Sequence, residues 1–248
     1  MGGGAEHLPG AVPADGALDG RIFAIGGADG VSTDRVVEAY DPAFNTWECS
    51  TGDAAAGCVD TRLAPMPTPR QYLGTVTSSD GRIFAIGGQI SSGGYSNVVE
   101  AYNPTTNTWE CSANDAAGGC TDSKLVPMPT ARYDFGYTLG PDSGIYAIGG
   151  HSTTALSTVE LYNPTTNSWH CSIGDSATGC TDALIASMPT ARQGLGVATT
   201  AGQVFAVGGY DNVGDATRVE AYTPGLCGCH YPPAREWGLR HVGPSDRS

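Results

Sequence analysis

The chain is organised around a short apolar run that ends in two glycines and recurs four times. The copies occupy 22–27, 83–88, 145–150 and 204–209. A short apolar run that is rich in β-forming residues and bounded by glycine is typical of a strand that is buried on both faces. The glycine pair predicts a sharp turn where that strand ends. The hydrophobic pattern therefore predicts four equivalent buried strands, one in each repeat of roughly 60 residues.

Three further blocks follow the apolar run in a fixed order. They are an alternating segment that stops at proline (37–42, 99–104, 159–164, 219–224), an Asn-x-Trp block (45–47, 107–109, 167–169) and Met-Pro-Thr-x-Arg, ending at Arg70, Arg132 and Arg192. The alternating segment predicts a second strand, and the tryptophan opens a third after a hairpin. A run of small and apolar residues after each arginine predicts an inner strand. Each repeat is thus expected to contain four antiparallel strands.

The order Gly-Gly, Tyr, Trp resembles the kelch repeat over about residues 19–224. The resemblance implies an all-β fold, a kelch-like β-propeller of four-stranded antiparallel blades. We expect about four blades in an incomplete ring, because kelch propellers typically close with six or seven blades, and hence a fragment of a longer protein. The expected divisions are a degenerate first strand in 1–18, repeats at about 19–66, 67–128, 129–188 and 189–224, and a non-repeat tail at 225–248. Trp237 falls in that tail because its distance from Tyr222 departs from the other copies.

Each repeat exceeds the kelch length of about 50 residues, and the additional residues carry a cysteine pair. The pairs are Cys49 and Cys58, Cys111 and Cys120, and Cys171 and Cys180. Three identical Cys-x8-Cys spacings predict three local disulfides, each closing a hairpin with Cα atoms about 4.4–6.8 Å apart. Free thiols and a metal site are the alternatives. The resemblance is accordingly to a bacterial-type kelch repeat with a Cys-x8-Cys insertion. Cys227 and Cys229 remain unassigned.

Disulfides persist in oxidising compartments, so we expect an extracellular or cell-surface protein. The first seven residues do not resemble a signal peptide, and we resolve this conflict by expecting the true N-terminus to lie upstream. The loop aspartates Asp53, Asp115 and Asp175 are interpreted as turn formers, with calcium binding left open.

Charge excludes several classes of partner. Acidic residues outnumber basic ones 25 to 12, and the net charge is −13, so we expect no nucleic acid partner. No run of about 18 apolar residues occurs, so we expect no membrane insertion.

No catalytic motif, metal-ligand set or phosphate loop is present, so we expect no enzyme activity, no cofactor and no metal. The repeated glutamates and arginines are interpreted as structural, because they occur in every unit. The first functional hypothesis is a module that binds a protein or a glycan. The alternatives are a fragment of a carbohydrate-active kelch-propeller enzyme, resembling galactose oxidase or a sialic acid mutarotase, and a purely structural or non-functional truncated chain.

The kelch resemblance places ligand contacts on one propeller face. The loop after each Gly-Gly and the segment that enters each inner strand form this face and differ between repeats. Tyrosines there are suited to protein or sugar surfaces. The candidate binding residues are Gln71, Tyr72, Tyr95, Tyr133, Asp134, His151, Gln193, Tyr210 and Asp211.

Overall fold

The computed structural model describes residues 10–12, 20–30, 32–53, 57–224 and 237–239. All regular secondary structure in these residues is β-strand, which confirms the predicted all-β fold. No helix long and apolar enough to cross a membrane occurs in this part of the chain.

The strands form four sheets, one for each repeat, which we call blades 1 to 4. Blade 1 contains β1 (Gly10–Val12), β2 (Ile22–Ala28), β3 (Thr33–Asp41), β4 (Thr46–Ser50) and β5 (Cys58–Leu63). Blade 2 contains β6 (Gly74–Thr77), β7 (Ile83–Ile86), β8 (Val99–Asn103) and β9 (Thr108–Cys111). Blade 3 contains β10 (Gly136–Leu139), β11 (Ile145–Ile148), β12 (Val159–Asn163), β13 (Ser168–Ser172) and β14 (Cys180–Ile185). Blade 4 contains β15 (Gly196–Thr200), β16 (Gln203–Val207), β17 (Val219–Tyr222) and β18 (Gly238–Leu239).

Strands that are consecutive in the chain are neighbours in every blade, and the first four of each blade are antiparallel. This confirms the predicted four-stranded blades. In blades 1 and 3 a fifth strand, β5 or β14, adds to the outer edge in the parallel direction. The expected hairpin in the cysteine insertion is therefore wrong. The chain crosses back after β4 and β13, so that Cys58 lies beside Trp47 and Cys180 beside Trp169.

Each pair of adjacent blades encloses one apolar cluster. The outgoing face of each blade packs on the incoming face of the next blade. The outgoing face of blade 1 consists of Phe23, Ile25, Val37 and Ala39, and the incoming face of blade 2 consists of Ile83, Ala85, Tyr102 and Trp109. Corresponding residues fill the next two junctions. Burial on both faces explains why the sequences of these strands are continuous apolar runs.

The inner strands lie side by side in the order β1, β6, β10 and β15. In the part of the chain that the structure describes, blades 4 and 1 do not close this row into a ring. The prediction of about four blades in an incomplete ring is therefore confirmed.

Candidate functional site

A buried arginine crosses each junction between blades. Arg70 follows blade 1, and its Nη1 donates to the carbonyl oxygens of Gly87 and Val98 in blade 2, both at 2.9 Å. Its Nη2 forms an ion pair of 2.5 Å with Glu100 of β8. Arg132 and Glu160, and Arg192 and Glu220, form the equivalent buried pairs at 2.7 and 3.0 Å. The repeated Arg and Glu positions therefore hold neighbouring blades together.

A tryptophan completes each junction on the outer side. The indole Nε1 of Trp109 donates to the carbonyl oxygen of Ala64, in the segment that follows blade 1, at 2.9 Å. Trp169 makes the same bond to Val126 at 3.0 Å. Trp237 makes it to Ala186 at 2.9 Å and packs in the third apolar cluster. The structure thus places Trp237 in the tryptophan position of blade 4, a role that sequence spacing did not reveal.

The glycine pair is required because the next junction segment approaches it closely. Gly87 has a φ of 61°, and a Cβ at this position would lie 2.8 Å from the carbonyl oxygen of Arg132. Gly149 has a φ of 63°, and its Cβ would lie 2.6 Å from the carbonyl oxygen of Arg192. A side chain at either position would push the arginine segment away from the blade.

Burial raises the pKa of Glu100 to about 7, although Arg70 acts in the opposite direction. Asp115 of the cysteine insertion adds to this upward shift through a hydrogen bond and its charge. The pKa of Glu160 is also raised, chiefly by burial. Desolvation is the larger effect at these junctions because it penalises the charged form of the carboxyl group.

The raised pKa makes stability depend on pH. The folded protein holds the Glu100 proton more tightly than the unfolded chain, so the free energy of unfolding is expected to fall as pH rises from about 4.5 to about 7. Relative to Glu100→Gln, the wild type should lose about 3 kcal/mol across this range. Urea unfolding of both proteins at pH 5, 6, 7 and 8 measures the difference. A constant difference between the two proteins would refute the proton linkage.

The structure joins the three predicted cysteine pairs. Cys49–Cys58, Cys111–Cys120 and Cys171–Cys180 are disulfides, and the two Cα atoms of each are 5.7 Å apart, inside the expected range. Each bridge links the strand that carries the tryptophan to the segment that returns beside it. Cys227 and Cys229 lie outside the described residues.

The loop aspartates Asp115 and Asp175 accept hydrogen bonds that form turns of the cysteine insertion, and Asp115 also binds the preceding segment. Asp115 Oδ1 accepts hydrogen bonds from Thr68 Oγ1 at 3.0 Å and from the Ala117 amide at 2.9 Å. Asp175 makes the corresponding turn with the Ala177 amide. Carboxylates and bridge sulfurs lie within 4.8 Å of one another, but a bridged sulfur carries no thiolate charge to hold a cation. The contacts therefore favour the turn interpretation of these aspartates.

The loops that follow Gly-Gly and the segments that enter the inner strands lie on one face, as the kelch resemblance implies. Backbone bridges join Gln71 to Gln89, Tyr133 to His151, and Gln193 to Tyr210. Further hydrogen bonds connect the blades, because Asp134 N donates to Tyr72 O at 3.1 Å and Gly194 N to Asp134 O at 2.8 Å. The variable residues are consequently held on a hydrogen-bonded frame rather than on free loops.

Four of the candidate residues form an aromatic cluster across blades 2 and 3, which we call the tyrosine cluster: Tyr72, Tyr95, Tyr133 and His151. Tyr95 stacks on Tyr133 with ring centroids 5.1 Å apart. Tyr72 lies 5.8 Å from Tyr133, and His151 lies 5.3 Å from Tyr133 and 5.9 Å from Tyr95. Tyr95 is exposed and the other three are half-buried. The cluster is a rigid surface with an apolar body and polar edges.

Two residues of this face adopt the left-handed backbone conformation. Tyr72 has a φ of 53° and Asp134 a φ of 55°, at the position where the third copy has Gly194 with a φ of 61°. This conformation costs a bulky residue about 1–2 kcal/mol. Strain of this kind concentrates at functional sites, where the surrounding structure compensates for it.

The other candidates lie at the two sides of the tyrosine cluster. Gln71 lines a groove of about 280 Å³ between the loops of blades 1 and 2, and its Nε2 donates to Gln89 Oε1 at 2.9 Å. On the other side, Tyr210 is exposed and Asp211 Oδ2 lies 3.4 Å from Arg218. Among the described residues, no ring contact joins Tyr210 to the cluster, so the structure separates it from the four that meet.

The sequence of this chain is similar to those of known proteins. A model of the Kelch motif matches residues 13–51, 72–114 and 141–171. The chain is similar to mouse Kelch-like protein 35, with 26% identity over 84% of this chain and 29% of the relative. It is also similar to mouse Kelch-like protein 28, with 31% identity over 51% of this chain and 19% of the relative. Galactose oxidase of Gibberella zeae is 31% identical over 46% of this chain and 13% of the relative.

The chain spans less than a third of the length of these curated relatives. The Kelch motif matches and the kelch-like relatives show that this chain is similar to kelch-repeat proteins, which agrees with the geometry of its blades.

Proposed function

We propose that this chain is a non-catalytic protein-binding module that acts outside the cell and recognises its ligand through the tyrosine cluster. Kelch repeats indicate a protein-interaction module. The observation that carries the choice of site is the contact of three tyrosines from two blades on the face of variable loops. Rigid tyrosines supply contact area at little cost in side-chain entropy, which suits the centre of an interface.

The extracellular assignment rests on the cysteine insertions. Three bridges, one in each of three successive repeats, suit an oxidising compartment. The relation of this insertion to bacterial-type kelch repeats stays a prediction. The expected absence of nucleic acid, metal and cofactor partners also remains a prediction, and it rests on the acidic charge and on the lack of ligand motifs.

Binding is expected to depend on the cluster and not on exposed aromatic residues in general. Tyr95→Ala and Tyr133→Ala should each weaken ligand binding at least tenfold, because truncating a central aromatic contact costs about 2 kcal/mol. The measurement is binding of the purified chain to an array of extracellular protein domains, followed by titration of each positive domain. Phe44→Ala is the matched control, because Phe44 is exposed in the turn between β3 and β4, at the opposite ends of the strands.

The controls also separate the competing interpretations. Equal binding by both tyrosine variants and the wild type would exclude the tyrosine cluster as the site. Tyr210→Ala tests whether the contact surface extends to blade 4. A parallel glycan array distinguishes protein from carbohydrate ligands, and binding to glycans alone would favour the carbohydrate-active alternative, which the similarity to galactose oxidase supports.

A further inference from the structure

The segments that enter the inner strands of blades 2, 3 and 4 differ at one equivalent position, two residues after the buried arginine. Blade 2 has Tyr72 there, blade 3 has Asp134 and blade 4 has Gly194. All three adopt the left-handed backbone conformation, and the Gly194 amide donates to the carbonyl oxygen of Asp134 at 2.8 Å. The binding face therefore carries an aromatic ring, a carboxylate and a bare glycine at neighbouring positions.

The glycine leaves space beside the carboxylate of Asp134. A Cβ at Gly194 would lie 3.4 Å from Asp134 Oδ2 and 3.8 Å from Asp134 Oδ1, and the Asp134 carboxyl group supplies the three atoms nearest to it. Gly194 is exposed and Asp134 is half-buried. A side chain at Gly194 would cover the carboxylate, so glycine leaves that side of Asp134 open to a ligand.

A second acceptor belongs to the residue before this glycine. The side-chain oxygen Oε1 of Gln193 is buried, and it accepts no hydrogen bond from the residues that the structure describes. A buried acceptor without a donor costs free energy, which a donor on a ligand recovers. The oxygen atoms of Asp134 and Gln193 thus favour a ligand group that donates several hydrogen bonds.

The tyrosine cluster borders the carboxylate on its other side. Asp134 follows Tyr133 in the chain, and its charge adds to the upward shift that burial chiefly imposes on the pKa of Tyr133. Tyr95 stacks on Tyr133 and is 38% exposed. Aromatic rings attract a cation to their faces, and a neighbouring carboxylate strengthens the attraction.

Among cationic groups, a guanidinium fits these surroundings best. It is planar, carries several N–H donors, stacks on aromatic rings and keeps its charge when it is partly buried. An ammonium group is a strongly hydrated point charge, which gains less from contact with the rings. A carboxylate or a phosphate is repelled by Asp134 and by the net charge of −13.

We propose that Tyr95, Tyr133, Asp134 and Gln193 form a site for an arginine side chain of the protein partner. The guanidinium lies against the tyrosine rings and donates hydrogen bonds to the Asp134 carboxylate and to Gln193 Oε1. This inference rests on the proposed function, because it specifies the chemistry of the ligand at the same face. A partner with an arginine at the centre of a basic surface complements the acidic charge of this chain.

Nα-acetylarginine amide is the probe that isolates this contact from the rest of a partner. Titrated into the isotope-labelled chain and followed by NMR, it should shift the backbone amide resonances of Asp134 and Gly194. The dissociation constant should lie in the millimolar range, since one side chain supplies a small contact. Nα-acetylcitrulline amide has nearly the same shape without the charge, and should bind about tenfold more weakly or worse. Equal shifts from both compounds, or no shift at these amides with either, would overturn the proposal.

Asp134→Asn removes the charge alone, because asparagine also adopts the left-handed conformation. It should weaken binding of the arginine amide about tenfold or more, and Gln193→Leu should weaken it roughly threefold, because it removes a neutral acceptor. Asp122→Asn is the matched control, because Asp122 pairs with Lys124 in the cysteine insertion of blade 2, and should bind as the wild type does. Circular dichroism verifies that each variant is folded. Equal affinity of Asp134→Asn and the wild type would refute the site.

Partner domains separate this inference from the proposed function. Domains found on the protein array should bind Asp134→Asn about tenfold more weakly, and should bind the wild type less tightly as the salt concentration rises. Domains that require Tyr95 and Tyr133 but bind Asp134→Asn normally would disprove the arginine contact and leave the tyrosine cluster as the site. Domains that bind both tyrosine variants normally would exclude the cluster, whatever the arginine amide does.

Discussion

Replacing Arg70 by methionine is expected to lower the free energy of unfolding by about 3–5 kcal/mol, because it removes one partner of a fully buried ion pair. The substitution leaves Glu100 without its cation. It also leaves the carbonyl oxygens of Gly87 and Val98 without their donor across the junction. Urea denaturation followed by circular dichroism measures the loss.

Two further variants test whether the loss of stability is specific to the buried ion pair. Arg62→Met removes an arginine that pairs with Asp60 on the surface, where its side chain is 84% exposed, and should change the free energy of unfolding little. The double variant Arg70→Met, Glu100→Leu replaces both charges and should recover a large part of the stability. A loss at Arg70→Met no greater than that at Arg62→Met would show that the buried pair does not hold the blades together.

Removing a single disulfide is also expected to destabilise the fold strongly. Cys111→Ala together with Cys120→Ala should lower the free energy of unfolding by about 2.5–3 kcal/mol, since the unfolded chain gains the freedom of the opened loop. Thermal and urea unfolding under non-reducing conditions measure this loss.

Reductant provides the matched control for the disulfide. Once all bridges are reduced, the wild type and the double variant should differ little in stability. Mass spectrometry after alkylation without reductant should find the six paired cysteines protected. Complete alkylation of these six would disprove the bridges and remove the main argument for an extracellular protein.

The repeat pattern was sufficient to predict the blade and its four antiparallel strands. Runs such as 83–86 are buried on both faces. Sheets that stack on one another bury the corresponding strand of every repeat in this way. The incomplete ring followed from counting the glycine pairs. The pairing of Arg70 with Glu100 did not follow, because the two residues lie in different repeats, and nothing in either motif specifies which neighbour the arginine reaches.

Two other features could not be predicted from the sequence, because they do not follow from the spacing of the motifs along the chain. Trp237 lies farther along the sequence from Tyr222 than the tryptophan does in the other copies, yet its ring stacks on Tyr222 with the centroids 5.4 Å apart. The return strand β5 was expected to fold back as a hairpin, but it runs parallel to β4. The spacing of the cysteines predicts that the two segments meet, whereas the relative direction of the two strands depends on the path of the connection between them.

The candidate face was predictable in outline but not in detail. Kelch resemblance placed the variable loops on one side, and the backbone bridges at Gln71, Tyr133 and Gln193 agree with that placement. The sequence did not show that Tyr72, Tyr95 and Tyr133 meet while Tyr210 stands apart. Contact between loops of different repeats depends on the spacing of the blades around the axis, which no single repeat encodes.

The direction of the arginine junctions has a consequence for how such an array can change in evolution. Each of the three buried pairs joins an arginine that follows one blade to a glutamate of the next blade. Duplication or loss of a whole repeat therefore preserves every internal pair, whichever repeat is copied. A gain or loss of part of a repeat leaves one buried charge without its partner, which is costly. Gene duplication in complete units is consequently the change that this architecture tolerates.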